Sequence, residues 1–435
     1  MQDVKPTQHC REPDGDMRDS RVGFACLTLK ERRFFYLSLS LHRAVKPPCL
    51  KFVWDLRMSD TAASRNRWII NSKVDLSCFS LGWALIFFVP LALPALEENA
   101  RFVAETFFIA HRYFTFPLVY LDRAEFGRRK LTYLITPTIC IVGVWLCYFF
   151  RVHEPEMFIF WSFFNYFHFV KQKYGLLRIY SSKTGWGSKR LDELVVYGWG
   201  LAGVLHVLAF QGGVEGRLMF YLSSHPAWIY GMLLVVGAYW TIEELWGWTG
   251  VTKKPMIVAT GIGFILVGGI VGTLAIDPIM GPTMVTATYT ALIILTLVWL
   301  VHEFRSPHGA NWPKILFTVG VAVMYGYGPV ASTTAFLVAT SFSHAFEYFA
   351  ICGLSLQNKA RSHAQDTPFL SLPARHIVLY TILVVLGMTV FHKGMDALSP
   401  YLFYVFIYST SFMHFVYDGM IWRLRRPRVA AEVGA

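Results

Sequence analysis

Charge is what this sequence has least of. Asp, Glu, Lys and Arg make up 16% of its 435 residues, whereas 54% are hydrophobic, and the mean hydropathy is +0.42. A water-soluble domain of this length cannot cover its surface with so few ionised groups, which excludes an ordinary globular protein. Cysteine is sparse and scattered, at positions 10, 26, 49, 78, 140, 147 and 352 with no C-x-x-C pair, so neither a disulfide framework nor a zinc ribbon is indicated. The 14 histidines form no adjacent pair and no H-x-H or H-x-x-x-H box. The formal charge of +12 is confined to short basic segments between apolar runs, which is the pattern of membrane orientation and not of a nucleic-acid surface.

What the chain does have is a succession of apolar segments. About 20 residues cross the hydrocarbon core, and on that measure residues 75–96, 102–121, 131–150, 157–178, 191–210, 227–243, 256–276, 284–304, 314–330, 332–353, 376–392 and 401–422 predict an all-α polytopic integral membrane protein of about 12 transmembrane helices. Every second loop is basic: DRAEFGRRK at 122, KQKYGLLRIYSSKTGWGSKR at 171, VTKKP at 251, HEFRSPHGANWPK at 302 and NKARSHAQDTPFLSLPARH at 358. The loops between them are poor in Lys and Arg. Cytoplasmic loops are the basic ones, so both termini are expected on the cytoplasmic side of a bacterial inner membrane. Residues 1–72 read as a cytoplasmic N-terminal arm, with a start at Met58 as the alternative; 73–424 read as the transmembrane domain and 425–435 as a basic cytoplasmic tail.

Within these segments the stretch SFMHFVYDGMIWR (411–423) places His414 and Asp418 one helical turn apart in the middle of an apolar run. His111, His168 and His344 lie at matching positions of three other segments, all read as running outside to inside. From the outer ends they sit about ten to thirteen residues in, roughly 15–20 Å deep at 1.5 Å per residue. Side chains three and four apart share a helix face. Asn165, His168 and Gln172 therefore make one polar stripe, Thr340, Ser341, His344, Glu347 and Tyr348 a second, and His414, Tyr417 and Asp418 a third, while His111 shares its face with Thr115 and Asp122. An ionisable group facing lipid at mid-bilayer costs several kcal/mol, so such stripes face protein or water.

A single intramembrane histidine is accounted for by a hydrogen bond to a neighbouring helix. Four at one depth, in line with amides and carboxylates, point to a shared metal site with His111, His168, His344 and His414 as ligands and His302 as an outer candidate. Glu347 and Asp418 are the expected further ligands or bases and Tyr348 a catalytic candidate, and Gln172 is placed to orient His168. Their ring nitrogens must then converge within about 5 Å of a common point, given metal–nitrogen bonds of about 2 Å. His206 reads as a packing residue, and His153, His225, His308, His363, His376 and His392 as solvated loop or boundary residues.

The motifs INSKVDL at 70, HRYFTFPLVYLDR at 111, SHAFEYFAI at 343 and HFVYDGMIWR at 414 resemble those of a group of polytopic bacterial membrane proteins. The dispersed single histidines are similar in style to the bacterial β-carotene dioxygenase family related to bacteriorhodopsin biogenesis. That resemblance implies iron held by such histidines. The histidine boxes of membrane desaturases and the ligand pairs of haem–copper oxidases are missing. The expectation is a membrane-embedded, non-haem iron oxidoreductase or oxygenase acting on an apolar lipid or isoprenoid, with haem bound by two facing histidines as another cofactor reading. A proton-coupled transporter with a His/Glu/Asp relay is the rival class, because two six-helix halves would relate the second and eighth and the fourth and tenth segments.

Overall fold

The structure, a computed structural model, describes residues 67–149, 154–210, 279–362, 368–424 and 426–434. These residues are mostly helical, with no strand among them. In chain order the longer helices are α1 (Gly82–Ala92), α2 (Glu97–His111), α3 (Lys130–Phe149), α4 (Glu154–Thr184), α5 (Lys189–Phe210), α6 (Met280–Phe304), α7 (Trp312–Gly326), α8 (Thr333–Ser362), α9 (Ile377–Leu398) and α10 (Pro400–Ile421). The expected segments 227–243 and 256–276, and the arm through residue 66, lie outside the described residues.

Among the described residues six helices are long and apolar enough to cross a membrane: α3, α5, α6, α7 with its short extension to Ala331, α8 and α9. The pair Ser72–Ser80 and α1, bent by 51°, makes a seventh if counted as one span. The remaining expected segments on described residues, 102–121, 157–178 and 401–422, are helical as well, but broken or too polar to qualify by composition. α2 ends after 15 residues, and α4 and α10 carry polar stripes; α8 carries one too, but its 30 residues include a sufficiently apolar window. Only 17% of the apolar windows of α3, α6 and α9 is buried, against 72% for α8, so the former present Leu131, Ile139, Leu297 and Leu383 outward while α8 is the centre of the bundle.

The side-chain pairs across these helices fix their relative directions. Phe107, His111, Thr115 and Asp122 meet Phe342, His344, Tyr348 and Lys359 in ascending order, so the α2 segment and α8 run parallel. Trp161, Phe164 and His168 meet Tyr408, Phe412 and His414, so α4 and α10 do too. His111 and Thr115 meet His414 and Asp418 in the same order, which aligns the α2 segment, and with it α8, with α10. All four histidine-bearing helices thus point one way.

The entry to the bundle explains the INSKVDL motif. Asn71 caps its short helix by accepting from Val74 N–H at 3.0 Å, and buried Asp75 accepts from the N–H groups of Ile69 (2.7 Å) and Ile70 (3.0 Å) and from the Tyr180 hydroxyl (2.9 Å). Residues 67–72, assigned to the arm from sequence, therefore belong to the bundle. The bend that follows needs small residues: a Cβ on Gly82 would lie 2.7 Å from Ser77 O, and one on Gly320 2.5 Å from Ser80 O.

Two buried ion networks tie the helix ends. Lys314 Nζ sits 3.0 Å from Asp192 and 2.6 Å from Glu303, and Arg178 lies 2.6 Å from Asp192, joining α4 to α7. Asp122, just beyond the second segment, accepts from Lys359 at 2.7 Å and Arg428 at 3.3 Å and caps Arg123–Arg128 through Glu125 N–H at 3.0 Å. Burial pushes the Asp122 carboxyl upward, but Lys359, the cap bond and Arg428 outweigh it and leave it below the usual carboxylate value. A depressed acid stabilises fully above its unfolded value of about 3.9 and loses that contribution as the pH falls through the folded one. Asp122→Asn is expected to destabilise detergent-purified protein by about 3 kcal/mol at pH 7 and by progressively less below about pH 4; thermal unfolding with equal losses at pH 7 and pH 3 would contradict this role.

Candidate metal centre

The four imidazoles meet. His111, His344, His168 and His414 form a closed ring of edge-to-face contacts, with successive centroid separations of 4.7, 4.9, 5.0 and 4.8 Å and interplanar angles of 86°, 77°, 80° and 85°. Three are fully enclosed, at 1%, 0% and 1% exposure for His111, His344 and His414. The Nε2 atom of His111 lies 3.1 Å from that of His344 and 3.2 Å from that of His414. Donor atoms of His111, His344 and His414 fall within 4.8 Å of one another, and so do those of His168, His414 and Asp418. Nitrogens on adjacent corners of one ion with bonds of about 2.0–2.1 Å are roughly 2.9–3.4 Å apart, and the observed spacings lie in that window.

The outer hydrogen bonds decide which nitrogens carry protons. His111 is the last residue of α2, before a 3₁₀ turn (Arg112–Phe114) and a π turn opened by Pro117, and its Nδ1 donates to the carbonyl of Phe108 one turn back. Nε2 of the neutral ring then holds a lone pair. On the other side Tyr348 donates to Asp418 Oδ1 at 2.6 Å. Thr115 Oγ1, 2.7 Å from the Tyr348 oxygen and 3.4 Å from Asp418 Oδ1, then directs its one proton to that side, the nearer Tyr348 oxygen first, and accepts from His414 Nδ1 at 2.8 Å. The result is one directional chain, His414 to Thr115 to Tyr348 to Asp418, and it leaves His414 Nε2 with a lone pair as well.

Two lone pairs thus face each other at 3.2 Å in a site without water-like surroundings. A proton on His344 Nε2 satisfies one contact to His111 and leaves the other opposed. His344 Nδ1 and His168 Nε2 are moreover buried without a hydrogen-bond partner, an arrangement that a native interior rarely tolerates. A cation at the centre would relieve the opposed lone pairs and give His168 Nε2 a partner, while His344 Nδ1, on the far side of its ring, stays without one. His168 Nε2 and His414 Nε2 each stand 3.6 Å from Asp418 Oδ2, the carboxylate oxygen that the chain does not use.

The remaining expected residues fall elsewhere. Glu347 is one turn from His344 but engaged: Oε1 accepts from Lys173 and from Ser343 (3.0 Å), and Oε2 from Gln172 (3.0 Å). It belongs to neither donor group. Gln172 does not orient His168; it donates to Glu347 and to the His344 carbonyl at 3.0 Å, fixing the backbone of α8. His302 stacks on Trp186, with centroids 5.1 Å apart at 17°, away from the ring of four. His392 is not solvated: it is 4% exposed and its Nε2 pairs with the Tyr113 hydroxyl at 2.8 Å. His206 packs on Phe210 as expected, and His308 and His376 are exposed. Lys173 and Thr115 are the residues sequence reasoning undervalued. Lys173 lies in the basic run from 171 that reads as a loop, yet α4 continues through it to Thr184.

No family model, no curated protein and no solved structure matches this chain.

A buried ion pair holds the wall of the site, and removing one partner leaves the other uncompensated. Lys173→Met is expected to cost about 3–5 kcal/mol in unfolding measurements in detergent, and Lys173→Met combined with Glu347→Leu to recover most of it. A double variant no more stable than the single one would count against this assignment.

Proposed function

We propose that the protein is a membrane-embedded metalloenzyme, an iron-dependent oxidoreductase acting on an apolar substrate drawn from the bilayer. The observation that carries this reading is the convergence of the Nε2 atoms of His344 and His414 on that of His111, at 3.1 and 3.2 Å in a buried site. In this reading His111, His344 and His414 hold the ion, and His168 and Asp418 complete its surroundings. Four imidazoles and a carboxylate exceed the four ligands of a closed zinc site and suit an ion that favours higher coordination, such as iron. Iron supplies redox chemistry with molecular oxygen when bound. Haem fits less well, since a macrocycle has to lie between two ligand rings whose nitrogens are only 3.1–3.2 Å apart.

The chain's own contribution is to keep the site dry, to fix ligand tautomers and to hold protons. Thr115 keeps His414 in its Nδ1–H form, and Tyr348 keeps a proton 2.6 Å from Asp418 Oδ1, where a reaction that consumes protons would draw on it. Phe108, Phe169 and Phe415 pack against the imidazoles and shape an apolar surrounding. The positive-inside pattern and the two segments beyond the described residues complete the reading: about 12 spans, both termini cytoplasmic, in a bacterial inner membrane.

The same hydrogen-bonded chain favours one other reading, a proton-coupled transporter. Elemental analysis separates them. The enzyme reading expects stoichiometric iron in detergent-purified protein, lost in His344→Ala and His414→Ala. Thr115→Val is expected to weaken iron binding about 10- to 100-fold, and Thr115→Ser to restore it. Purified protein free of transition metal, combined with solute uptake into vesicles that requires a proton gradient, would establish the transporter instead.

A further inference from the structure

Arg112 follows the site residue His111 directly and is 2% exposed. Helical side chains lean toward the N-terminus of their helix, and its guanidinium accordingly lies over Phe108, 4.9 Å from the ring centroid. Nη1 donates to the carbonyl of Ile407 at 3.0 Å. No carboxylate among the described residues pairs with it. The other buried cations all have one: Lys173 has Glu347, Lys314 has Asp192 and Glu303, and Lys359 has Asp122. An isolated guanidinium in a low-dielectric interior is costly enough that a counter-charge is required.

A second buried donor lies against the same phenylalanine. Trp161 packs edge-on to Phe108, with centroids 6.1 Å apart, and against Tyr408 at 5.8 Å, and its indole Nε1 has no hydrogen-bond partner. A guanidinium without a carboxylate and an indole N–H without an acceptor thus lie together among α2, α4 and α10 at the level of Phe108 and Ile407. With Nη1 committed to a backbone carbonyl, the free edge of Arg112 is the Nε/Nη2 fork, which matches the two oxygens of a carboxylate.

We propose that Arg112, assisted by Trp161, binds the carboxylate head of a long-chain lipid acid whose hydrocarbon tail passes the ring of four histidines. Ile407 precedes His414 by seven residues on α10, roughly 10 Å along the axis, so the position presented to the imidazoles is a mid-chain carbon and not the head. This deepens the oxidoreductase reading by naming its substrate class, while the anion site itself stands on Arg112 and Trp161.

The test is a titration of detergent-purified protein with dibrominated stearic acid and with its methyl ester, followed by quenching of tryptophan fluorescence, with iron content measured on the same samples. The acid is expected to quench saturably and the ester to bind roughly 30-fold more weakly or worse, because loss of a buried charge pair carries a penalty of that order. Arg112→Met is expected to bring the acid down to the ester's affinity, with Arg112→Lys between. Equal binding of acid and ester by the wild-type protein, a comparison that needs no variant to fold, overturns the proposal. So does displacement of the acid by octadecyl phosphate at lower concentration than by stearate, which would assign the site to a phosphate head. Iron-free protein that still discriminates acid from ester would remove the enzyme reading alone, and iron-loaded protein that fails to discriminate would remove this one alone.

Discussion

The convergence of imidazole nitrogens at one level of the bundle is the constraint that the surrounding structure serves. Each ring brings a demand that its own helix cannot meet. His111 needs a carbonyl exposed by the end of α2, and His414 needs the Thr115 hydroxyl from the next turn of the same broken segment. Tyr348 and Asp418, from α8 and α10, absorb the hydrogen bonds that follow. Three helices are thereby locked in register through side chains alone, in an interior where hydrophobic contact with neighbouring helices is no more favourable than contact with lipid.

Irregular backbone is the cost of that register. The 3₁₀ and π turns after His111 break the regular hydrogen-bond ladder where Pro117 has no N–H to give. Such a break is tolerated at membrane depth only where protein surrounds it. Here Phe114, Leu118 and Val119 are buried against the helices around them. The more polar or broken helices α2, α4 and α10 are covered by apolar neighbours: α9 packs on α2 and α10, α3 on α10, and α5 on α4.

Much of this was legible in the amino-acid order. The helical class and the positions of the four histidines at one level follow from span length and the 3.6-residue period, because both are properties of a single helix. The depth argument worked since all four helices run parallel. What escaped was pairwise: Glu347 reads as a ligand until Lys173 is found across from it, and Lys173 reads as a loop residue until α4 is seen to extend beyond hydrocarbon length. Periodicity cannot say which stripe faces which. His392 shows the same limit, since its position near a span boundary conceals the Tyr113 hydroxyl that receives it.

The shared orientation of the four site helices also governs when the centre can exist during synthesis. Parallel helices in a membrane cannot be consecutive; each needs at least one returning segment before the next. The cluster therefore gathers its members one at a time over a stretch in which His111 and His414 stand 303 positions apart. Until α10 inserts, Thr115 and Tyr348 have neither the imidazole nor the carboxylate that completes their chain, and the nascent bundle carries a polar gap facing acyl chains. Completion of the four-histidine cluster is thus tied to the insertion of α10, which supplies His414 and Asp418.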